Sequence, residues 1–170
     1  DTENGITHVQ INSVRSKMLY VVQGSCSNGS LKIYSEKKFR LAFNGLTLTN
    51  PNGPAINIQS GKTVYATLEA GKINNLCDGE VYADAPYENG EPEDQKGTFF
   101  SEGQLIFSGT GTLNVKSYGG HAICSDDYIR VRSGNINILS SVKDGFNTNM
   151  RVLTAQVRSS AELLIDIKMS

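Results

Sequence analysis

The same unit occurs twice in succession in this chain, as GTFFSEGQLIFSGTGTLNVKSYG at residues 97–119 and as GHAICSDDYIRVRSGNINILSSV at residues 120–142. Each copy has an apolar pair, a polar turn, a short alternating strand, a Gly turn and a second alternating strand. Phe99 and Phe100 fall on Ala122 and Ile123, an offset of 23 residues, and the offset drifts between 23 and 25 along the unit. Self-similarity at such a period is typical of stacked repeat architectures.

Weaker copies flank this pair. Upstream, GPAI at 53–56 matches GHAI at 120–123, and residues 41–48 repeat the second half of the unit. Downstream, the unit restarts at 145–147, and residues 152–167 offer two more alternating runs in which Ser159 and Ser160 replace the central Gly. We therefore predict about five imperfect turns, interrupted by the aperiodic segment 74–96.

The strand pattern predicts an all-β fold. No window sustains a helical period, and short alternating runs divided by Gly, Asn and Ser dominate. The apolar run MLYVV at 18–22 predicts a strand buried on both faces, and Asn44-Gly45 predicts a tight turn with positive φ. Apolar residues match in kind between the copies, which favours a right-handed parallel β-helix of roughly 22–25 residues per turn over a sandwich: Leu105 with Ile129, Phe107 with Val131, Leu113 with Ile136 and Val115 with Ile138.

Bulk properties exclude several classes of protein. A length of 170 residues fits a single domain, 1–170, and a formal net charge of −1 predicts neither nucleic-acid binding nor attraction to an anionic membrane. No apolar run approaches the roughly 18 residues that span a bilayer, so we expect no membrane insertion. Cys26, Cys77 and Cys124 form no CxxC pair and are expected to be free thiols packed in the interior. Because the chain begins at Asp1 rather than Met, we expect that an upstream segment has been removed.

Several stretches resemble a family of secreted β-helix proteins described as carbohydrate-binding domains and associated with cellulose and polygalacturonate. The stretches are AINIQSGKTVYATLEAGKINNLCDG (55–79), FFSEGQLIFSGTGTLNV (99–115), HAICSDDYIRVRSGNINI (121–138) and KDGFNT (143–148). The resemblance covers roughly residues 42–148 and fails after 149, where the Gly-Gly turns of the family are missing. It implies a parallel β-helix, calcium sites made by acidic side chains, and binding of plant-type polysaccharide outside the cytoplasm, at the cell surface or in the extracellular space.

Acidic and amide side chains in four turns are the candidate calcium ligands, because a hard cation needs several oxygen ligands at one place. Stacked copies would place Glu102 one rung from Asp126, close enough for one cation to bridge them. The alternatives are an Asx turn at Asp78-Gly79 and ordinary solvated turns elsewhere. An irregular acidic loop at 80–96 is expected to hold mostly solvated acids. The candidates are Asp78, Glu102, Asp126, Asp127, Asp144 and Asn147.

Aromatic and cationic side chains are the candidate sugar ligands. Tyr118 lies in a Gly-rich turn that a ligand can approach, while Tyr128 stands at the edge of an apolar column. Arg130 and Arg132 project from the same strand face and suit the carboxylates of a polyuronate, although an ordinary solvated face has the same appearance. We predict a monomeric, non-catalytic module that binds acidic polysaccharide with the help of calcium.

Two alternatives remain open at this stage. A pectate-lyase-like enzyme would need a base near the C5 proton of the sugar together with calcium, and Arg130, Arg132 and Lys143 could supply the base. An adhesive or structural surface module would need only the fold. His8 and His121 lie in unlike contexts and indicate no catalytic triad.

Overall fold

The chain folds into stacked coils of parallel β-strands, as a computed structural model shows for residues 2–3, 6–88, 90–149 and 152–154. Three flat faces run along the stack. The first face contains β2 (Ile6–Ser13), β4 (Gly29–Ser35), β6 (Ile56–Gln59), β11 (Gly97–Ser101), β14 (His121–Ser125) and β17 (Phe146–Thr148). The second face contains β3 (Leu19–Cys26), the first half of β5 (Phe39–Thr49), β7 (Val64–Leu68), β12 (Leu105–Gly109), β15 (Ile129–Val131) and β18 (Val152–Thr154). The third face contains the second halves of β3 and β5, then β8 (Ile73–Cys77), β13 (Thr112–Lys116) and β16 (Asn135–Ser140).

These strands define six coils, which we number along the chain. Coil 1 begins with β2, coil 2 with β4, coil 3 with β6, coil 4 with β11, coil 5 with β14 and coil 6 with β17. All pairings between coils are parallel. Two short antiparallel pairings lie outside the coils: β1 (Thr2–Glu3) pairs with β2, and β9 (Tyr87–Glu88) pairs with β10 (Glu91–Pro92) in the loop between coils 3 and 4. The predicted parallel β-helix is confirmed, but the prediction of five turns is wrong by one, because residues 6–26 form a full coil of their own.

The register of the two central copies differs slightly from the sequence alignment. The predicted pairs on the second and third faces are confirmed, for example Leu105 with Ile129 and Val115 with Ile138. On the first face, however, Phe99 pairs with Ile123 and not with Ala122. The offset there is one residue larger than predicted because the alternation in and out of the core, rather than the adjacent apolar pair, determines the match.

Inward columns of apolar side chains form one continuous core. Phe43, Phe99 and Phe107 are fully buried at its centre, and the ring of Phe99 lies 5.9 Å from each of the other two ring centroids. Such tilted and edge-on contacts between rings add to the free energy gained by burial alone.

The side chains of coil 1 are more exposed to solvent than those of the central coils. Leu19 and Val21 are 50% and 55% exposed, so the prediction that residues 18–22 are buried on both faces is wrong. Among the described residues this strand pairs on one side only, and it presents alternate side chains to solvent.

Glycines with positive φ mark the corner between the second and third faces in each of coils 1 to 5. They are Gly24, Gly45, Gly71, Gly109 and Gly134, with φ between +70° and +103°. The positive φ expected at Asn44-Gly45 is therefore confirmed, at a corner of the coil rather than in a hairpin. At Gly109 a Cβ atom would lie 2.1 Å from the carbonyl oxygen of Leu68 in the coil below. This corner thus requires glycine for its backbone conformation and for the close approach of the next coil.

Asparagine side chains stabilise the third face. Asn74 points inward at the corner, where its Oδ1 accepts the N–H groups of Gly45 and Leu46, both at 2.9 Å. On the outside, Asn114 donates to Asn75 at 2.9 Å and receives a hydrogen bond from Asn137 at 2.8 Å, each from the neighbouring coil. The predicted interruption at 74–96 therefore begins too early, because Ile73–Cys77 is a regular strand and only the segment from 78 onward leaves the coil.

Two further sequence-based expectations can be compared with the described residues. All three cysteines are free, as predicted, but only Cys124 is fully buried. Within the described part of the chain, no helix has the length and apolar character to cross a membrane. Most of the alternating runs expected at 152–167 lie outside the described residues, and the assignment of 1–170 to a single domain stays a prediction.

Replacing the corner glycine of coil 4 should destabilise the fold strongly. In Gly109→Ala, the positive φ and the contact with the Leu68 carbonyl oxygen should lower the free energy of unfolding by at least about 2 kcal/mol. Gly61→Ala is the matched control, since a Cβ there meets nothing within 4 Å, and it should change stability by less than about 0.5 kcal/mol. Urea unfolding followed by circular dichroism measures both, and equal stability of the two variants would contradict the role assigned to the corner.

Candidate functional site

A column of long side chains runs along the outside of the second face. Strand pairing aligns Arg40, Tyr65, Ile106 and Arg130 in four successive coils. Each of these residues lies between two buried neighbours that point into the core, so all four point outward from the sheet. The two arginines are exposed and Tyr65 is half-buried, whereas Ile106 is buried. Three strand spacings separate the two arginines, which places their Cα atoms about 14 Å apart. The column therefore carries a cation near each end and an aromatic ring between them.

A groove of about 620 Å³ opens beside the part of this column that contains Arg40 and Tyr65, in coils 2 and 3. Tyr65, which is half-buried, contributes to its floor, and the basic side chains of Lys17, Lys38 and Arg40 line it. Thr67 and Ser108, which lie two residues beyond Tyr65 and Ile106 on their strands, add hydroxyl groups on the outward side. No acidic side chain lines this groove among the described residues.

Lys17 has an unusual backbone at the edge of the groove. Its φ is +60°, and it is the non-glycine residue with positive φ among the described residues. This conformation costs an L-residue about 1–2 kcal/mol. Strain of this kind often occurs at functional sites, which makes the groove a candidate site.

The predicted sugar-binding residues fall into two groups. Arg130 and Arg132 are both exposed and lie on the same outward face, as expected, and Arg132 follows the last paired residue of β15 beside Ser108. The two tyrosines lie elsewhere. Tyr118 is in the turn between the third and first faces, and Tyr128 is half-buried in the turn between the first and second faces. The two arginines thus lie on the same outward face as the groove, although neither of them lines it, and the two tyrosines lie away from it.

Sequence reasoning missed Arg40, Tyr65, Lys17 and Lys38. The signal for the first two was present, because VYA at 64–66 and FRL at 39–41 repeat the alternation of LIF at 105–107 and IRV at 129–131. Extending the alignment of the second strand to coils 2 and 3 would have placed both side chains in the column of Arg130. Lys17 and Lys38 lie in turns before the strands, where the repeat carries no signal.

The acidic loop between coils 3 and 4 lies against the first face instead of extending into solvent. Glu93 accepts hydrogen bonds from the Lys32 ammonium group at 2.5 Å and from the Tyr34 hydroxyl group, and its side chain is only 4% exposed. The carbonyl oxygen of Asp94 accepts from the amides of Asn57 and Gln59 at 3.3 and 2.8 Å. The expectation of solvated acids holds for Glu80, Asp84 and Glu91, which are exposed, but is wrong for Glu93.

The loop is fixed at its other end by Lys96. Its ammonium group lies 2.7 Å from carboxylate oxygens of both Asp94 and Asp126, and 5.5 Å from the ring centroid of Phe100. Burial alone would lower the pKa of Lys96, but hydrogen bonds to the two carboxylates outweigh burial and raise the pKa. Lys96 is therefore held in its charged form.

Asp78, a predicted calcium ligand, is buried and fully engaged by the protein. It is 2% exposed; its Oδ1 accepts the N–H of Tyr118 at 2.5 Å, and its Oδ2 accepts the hydroxyl groups of Ser117 at 2.8 Å and Tyr82 at 2.5 Å. Burial and the hydrogen bond to Asp78 raise the pKa of the Tyr82 phenol, so this proton stays in place. The arrangement stabilises the start of the loop, and a role of Asp78 as a calcium ligand stays a prediction.

The pair Glu102 and Asp126 is placed in neighbouring coils, as predicted. Ser101 pairs with Ser125, and the N–H of Asp126 donates to the carbonyl oxygen of Ser101 at 3.0 Å. Asp126, however, is already neutralised by Lys96, and Asp127 uses its backbone to bind Ser125 and Thr148. No group of three or more His, Cys, Asp or Glu side chains that could hold a metal occurs among the described residues. The metal-binding roles stay predictions.

Asp144 and Asn147 form a local hydrogen-bonded cluster on the first face. The Asn147 amide donates to Asp144 Oδ2 at 3.0 Å, and the N–H of Asp144 donates to Nδ1 of His121 at 3.1 Å. Burial lowers the pKa of His121 despite the nearby charge of Asp144, so the ring is neutral and Nδ1 accepts. Cys124 lies beside this cluster, and burial raises the pKa of its thiol to about 12, which makes it unreactive.

Comparison with known proteins gives a family and a fold. Residues 7–160 match a family model described as carbohydrate-binding domain-containing protein. A solved structure of the polysaccharide lyase-like protein from C. thermocellum, a gadolinium derivative, is similar with a TM-score of 0.77 and 22% identity. The similarity covers 94% of this chain and 64% of that chain, so this chain spans about two thirds of that protein's length. No curated protein matches the sequence.

Removing Asp78 should destabilise the protein whether or not calcium is present. Asp78→Ala leaves a buried N–H group and two hydroxyl groups without their acceptor, which should lower the free energy of unfolding by at least about 2 kcal/mol. Asp84→Ala, which removes an exposed carboxylate of the same loop, should have little effect. Thermal unfolding is measured with calcium and with EGTA, and a loss that appears only with calcium would instead make Asp78 a metal ligand.

His121 should make the fold sensitive to acid. Its pKa is lower in the folded chain than in the unfolded chain, so stability is complete above the unfolded pKa of about 6.5 and is lost as the pH falls through that value towards the folded pKa. Wild-type protein should therefore lose more stability between pH 7.5 and 5 than His121→Gln. A smaller loss in wild-type protein would mean that the ring is charged and paired with Asp144 Oδ2, 3.4 Å from Nδ1.

Proposed function

Because the chain belongs to the family of carbohydrate-binding domain-containing proteins, we propose that it is a non-catalytic module that binds an acidic, plant-type polysaccharide such as polygalacturonate. The observation that carries the proposal is the basic surface of the second face, by which we mean Arg40, Tyr65, Arg130 and Arg132 with the adjoining groove. It concentrates cations on one side of a chain whose net charge is −1.

The chemistry of this surface suits a chain of uronate sugars. Arginine has a planar fork of N–H donors that matches a carboxylate, and it stays charged at any physiological pH. Tyr65 offers an apolar ring and a hydroxyl group between the cations, which suits the alternating C–H and O–H groups of a sugar. Since the side chains repeat along the coil axis, a polymer lying along that axis would meet several of them at once.

Lys96, on the neighbouring face, does not add a base to the candidates Arg130, Arg132 and Lys143. A lyase needs a base, and Lys96 is a poor base because two carboxylates hold its proton. Arg130 and Arg132 have no acidic partner among the described residues that could hold or orient them. The second candidate is a pectate-lyase-like activity, favoured by the fold shared with a polysaccharide lyase-like protein.

Calcium belongs to the proposal at one corner only. Asp78 accepts hydrogen bonds from the protein, and Asp144 accepts one from Asn147. The turn residues Glu102, Asp126 and Asp127, by contrast, are acidic side chains that lie together in two adjacent coils. Calcium bound there would neutralise Glu102 and Asp127 and would compete with Lys96 for Asp126. We further propose a monomer that acts outside the cytoplasm, at the cell surface or in the extracellular space, where polymers of this class occur.

Removing the two arginines of coil 5 should weaken the binding of polygalacturonate. Arg130→Gln/Arg132→Gln should reduce affinity at least about tenfold, with the loss shrinking as salt is raised, because charge-assisted contacts are screened. Lys72→Gln/Lys116→Gln is the matched control, since it removes the same charge from exposed sites away from the second face. Calorimetric titration measures both variants.

Absorbance of unsaturated uronide products is followed in the same titration. No increase is expected from a binding module, and a steady increase would establish the lyase instead. Equal loss of affinity in the arginine and lysine variants would mean that only net charge matters and would remove the site from the second face.

Calcium should stabilise the protein through the corner of coils 4 and 5. Thermal unfolding of wild-type protein should shift upward with calcium relative to EGTA, because a ligand that binds only the folded state stabilises it. Asp127→Asn should reduce this shift, while Asp84→Asn, which alters an exposed acid of the loop, should leave it intact. A wild-type protein indifferent to calcium would remove the metal from the proposal.

A further inference from the structure

A cleft separate from the basic surface lies between the acidic loop and the first face. Its volume is about 440 Å³, within the usual range for small-molecule sites. One wall is the outer side of coils 1 to 3, with Gln10 and Lys32 on neighbouring strands. The second wall is the turn at 50–54, and the third is the loop, which contributes Ala83, Asp84 and Gln95.

The walls of the cleft are cross-linked, so the cavity is formed before any ligand arrives. Asn50 is buried and donates to the carbonyl oxygen of Pro54 at 2.8 Å, while its Oδ1 accepts the N–H of Asn52 at 3.1 Å. The N–H of Ala83 donates to the carbonyl oxygen of Asn52 at 2.8 Å, which ties the loop to the turn. The ion pair of Lys32 with Glu93 ties the loop to the first face. A rigid cleft loses little conformational entropy on binding.

The charges of the cleft disfavour an acidic ligand. The ammonium group of Lys32 is already neutralised by Glu93 at 2.5 Å, and the exposed carboxylate of Asp84 has no partner among the described residues. A uronate would meet this carboxylate without a free cation to offset it. This is the reverse of the basic surface, where cations occur without acids.

The remaining polar groups are neutral and suit hydroxyl groups. The side chains of Gln10, Asn52 and Gln95 each keep at least one polar atom without a partner among the described residues, since Gln10 donates only to Asn12 and Gln95 only to Ala83. Carboxamides both donate and accept, as sugar hydroxyl groups do. Pro54 and Pro86 add apolar surface for the C–H faces of a sugar ring.

We propose that this cleft is a second carbohydrate site, which takes a neutral sugar at the end or on a branch of a glycan. The volume holds about one or two sugar rings, and three walls enclose them. The site is independent of the basic surface, which binds the acidic main chain. The protein would then recognise two features of one polysaccharide. Its second face would bind the charged main chain, and its first face would bind a neutral terminal or branch sugar.

Neutral disaccharides test this site directly. Cellobiose, xylobiose and β-1,4-galactobiose are titrated against the whole chain, with binding followed by saturation-transfer NMR and calorimetry. At least one should bind saturably. Ala83→Leu, at an exposed position on the loop wall, should reduce the affinity at least about tenfold by filling the cleft, and Asn52→Ala should reduce it about fivefold by removing one hydrogen-bonding group.

The basic surface supplies the matched control. Arg130→Gln/Arg132→Gln should leave disaccharide binding unchanged, and Ala83→Leu should leave polygalacturonate binding unchanged, so failure of one site is distinguishable from failure of the other. The proposal is overturned if none of the three disaccharides binds, if Ala83→Leu and Asn52→Ala both bind normally, or if the arginine variant abolishes disaccharide binding. Circular dichroism confirms that each variant is folded.

Discussion

Every coil of this protein has to change direction at the same place, because stacked strands can pair only if each coil repeats the path of its neighbour. The corner between the second and third faces imposes this condition through glycines with positive φ in five successive coils. At Gly109 the neighbouring coil is so close that a Cβ atom would lie 2.1 Å from the carbonyl oxygen of Leu68. Because every coil turns at this corner, equivalent inward-pointing side chains of successive coils lie on top of one another. Burial of these aligned apolar side chains supplies most of the stabilising free energy.

Outward-pointing residues do not contribute to the core, so their identity can vary, and each of the three faces carries a different set of them. The second face carries arginines and a tyrosine, the third carries a ladder of asparagines, and the first is covered by the acidic loop. Outward residues of one column repeat at the strand spacing, so residues at matching positions of successive coils form a continuous line on the surface. Functions of different kinds can therefore occupy the same scaffold without altering its interior.

The fold could be predicted from the sequence because equivalent inward residues, such as Leu105 and Ile129, repeat in kind and in spacing. Register on the first face was harder, since Phe99 and Phe100 are both buried but only Phe99 belongs to the core column. The arginines of coil 5 were found by alternation alone. Lys32 and Glu93, by contrast, are 61 residues apart and lie outside the repeat, so no local pattern links them. Nor could the sequence indicate that Asp78 accepts hydrogen bonds from Ser117 and Tyr82.

The acidic loop has a mechanical consequence for the whole stack. In a solenoid each coil touches only its neighbours, so the ends can fray one coil at a time. Here the loop that leaves coil 3 bonds backward to Lys32 and Tyr34 of coil 2, and forward through Lys96 to Asp126 of coil 5. Coils that do not touch each other are thereby linked by one strap. Opening any of these central coils must break contacts in the others, so the middle of the stack should unfold as one cooperative block between less protected ends.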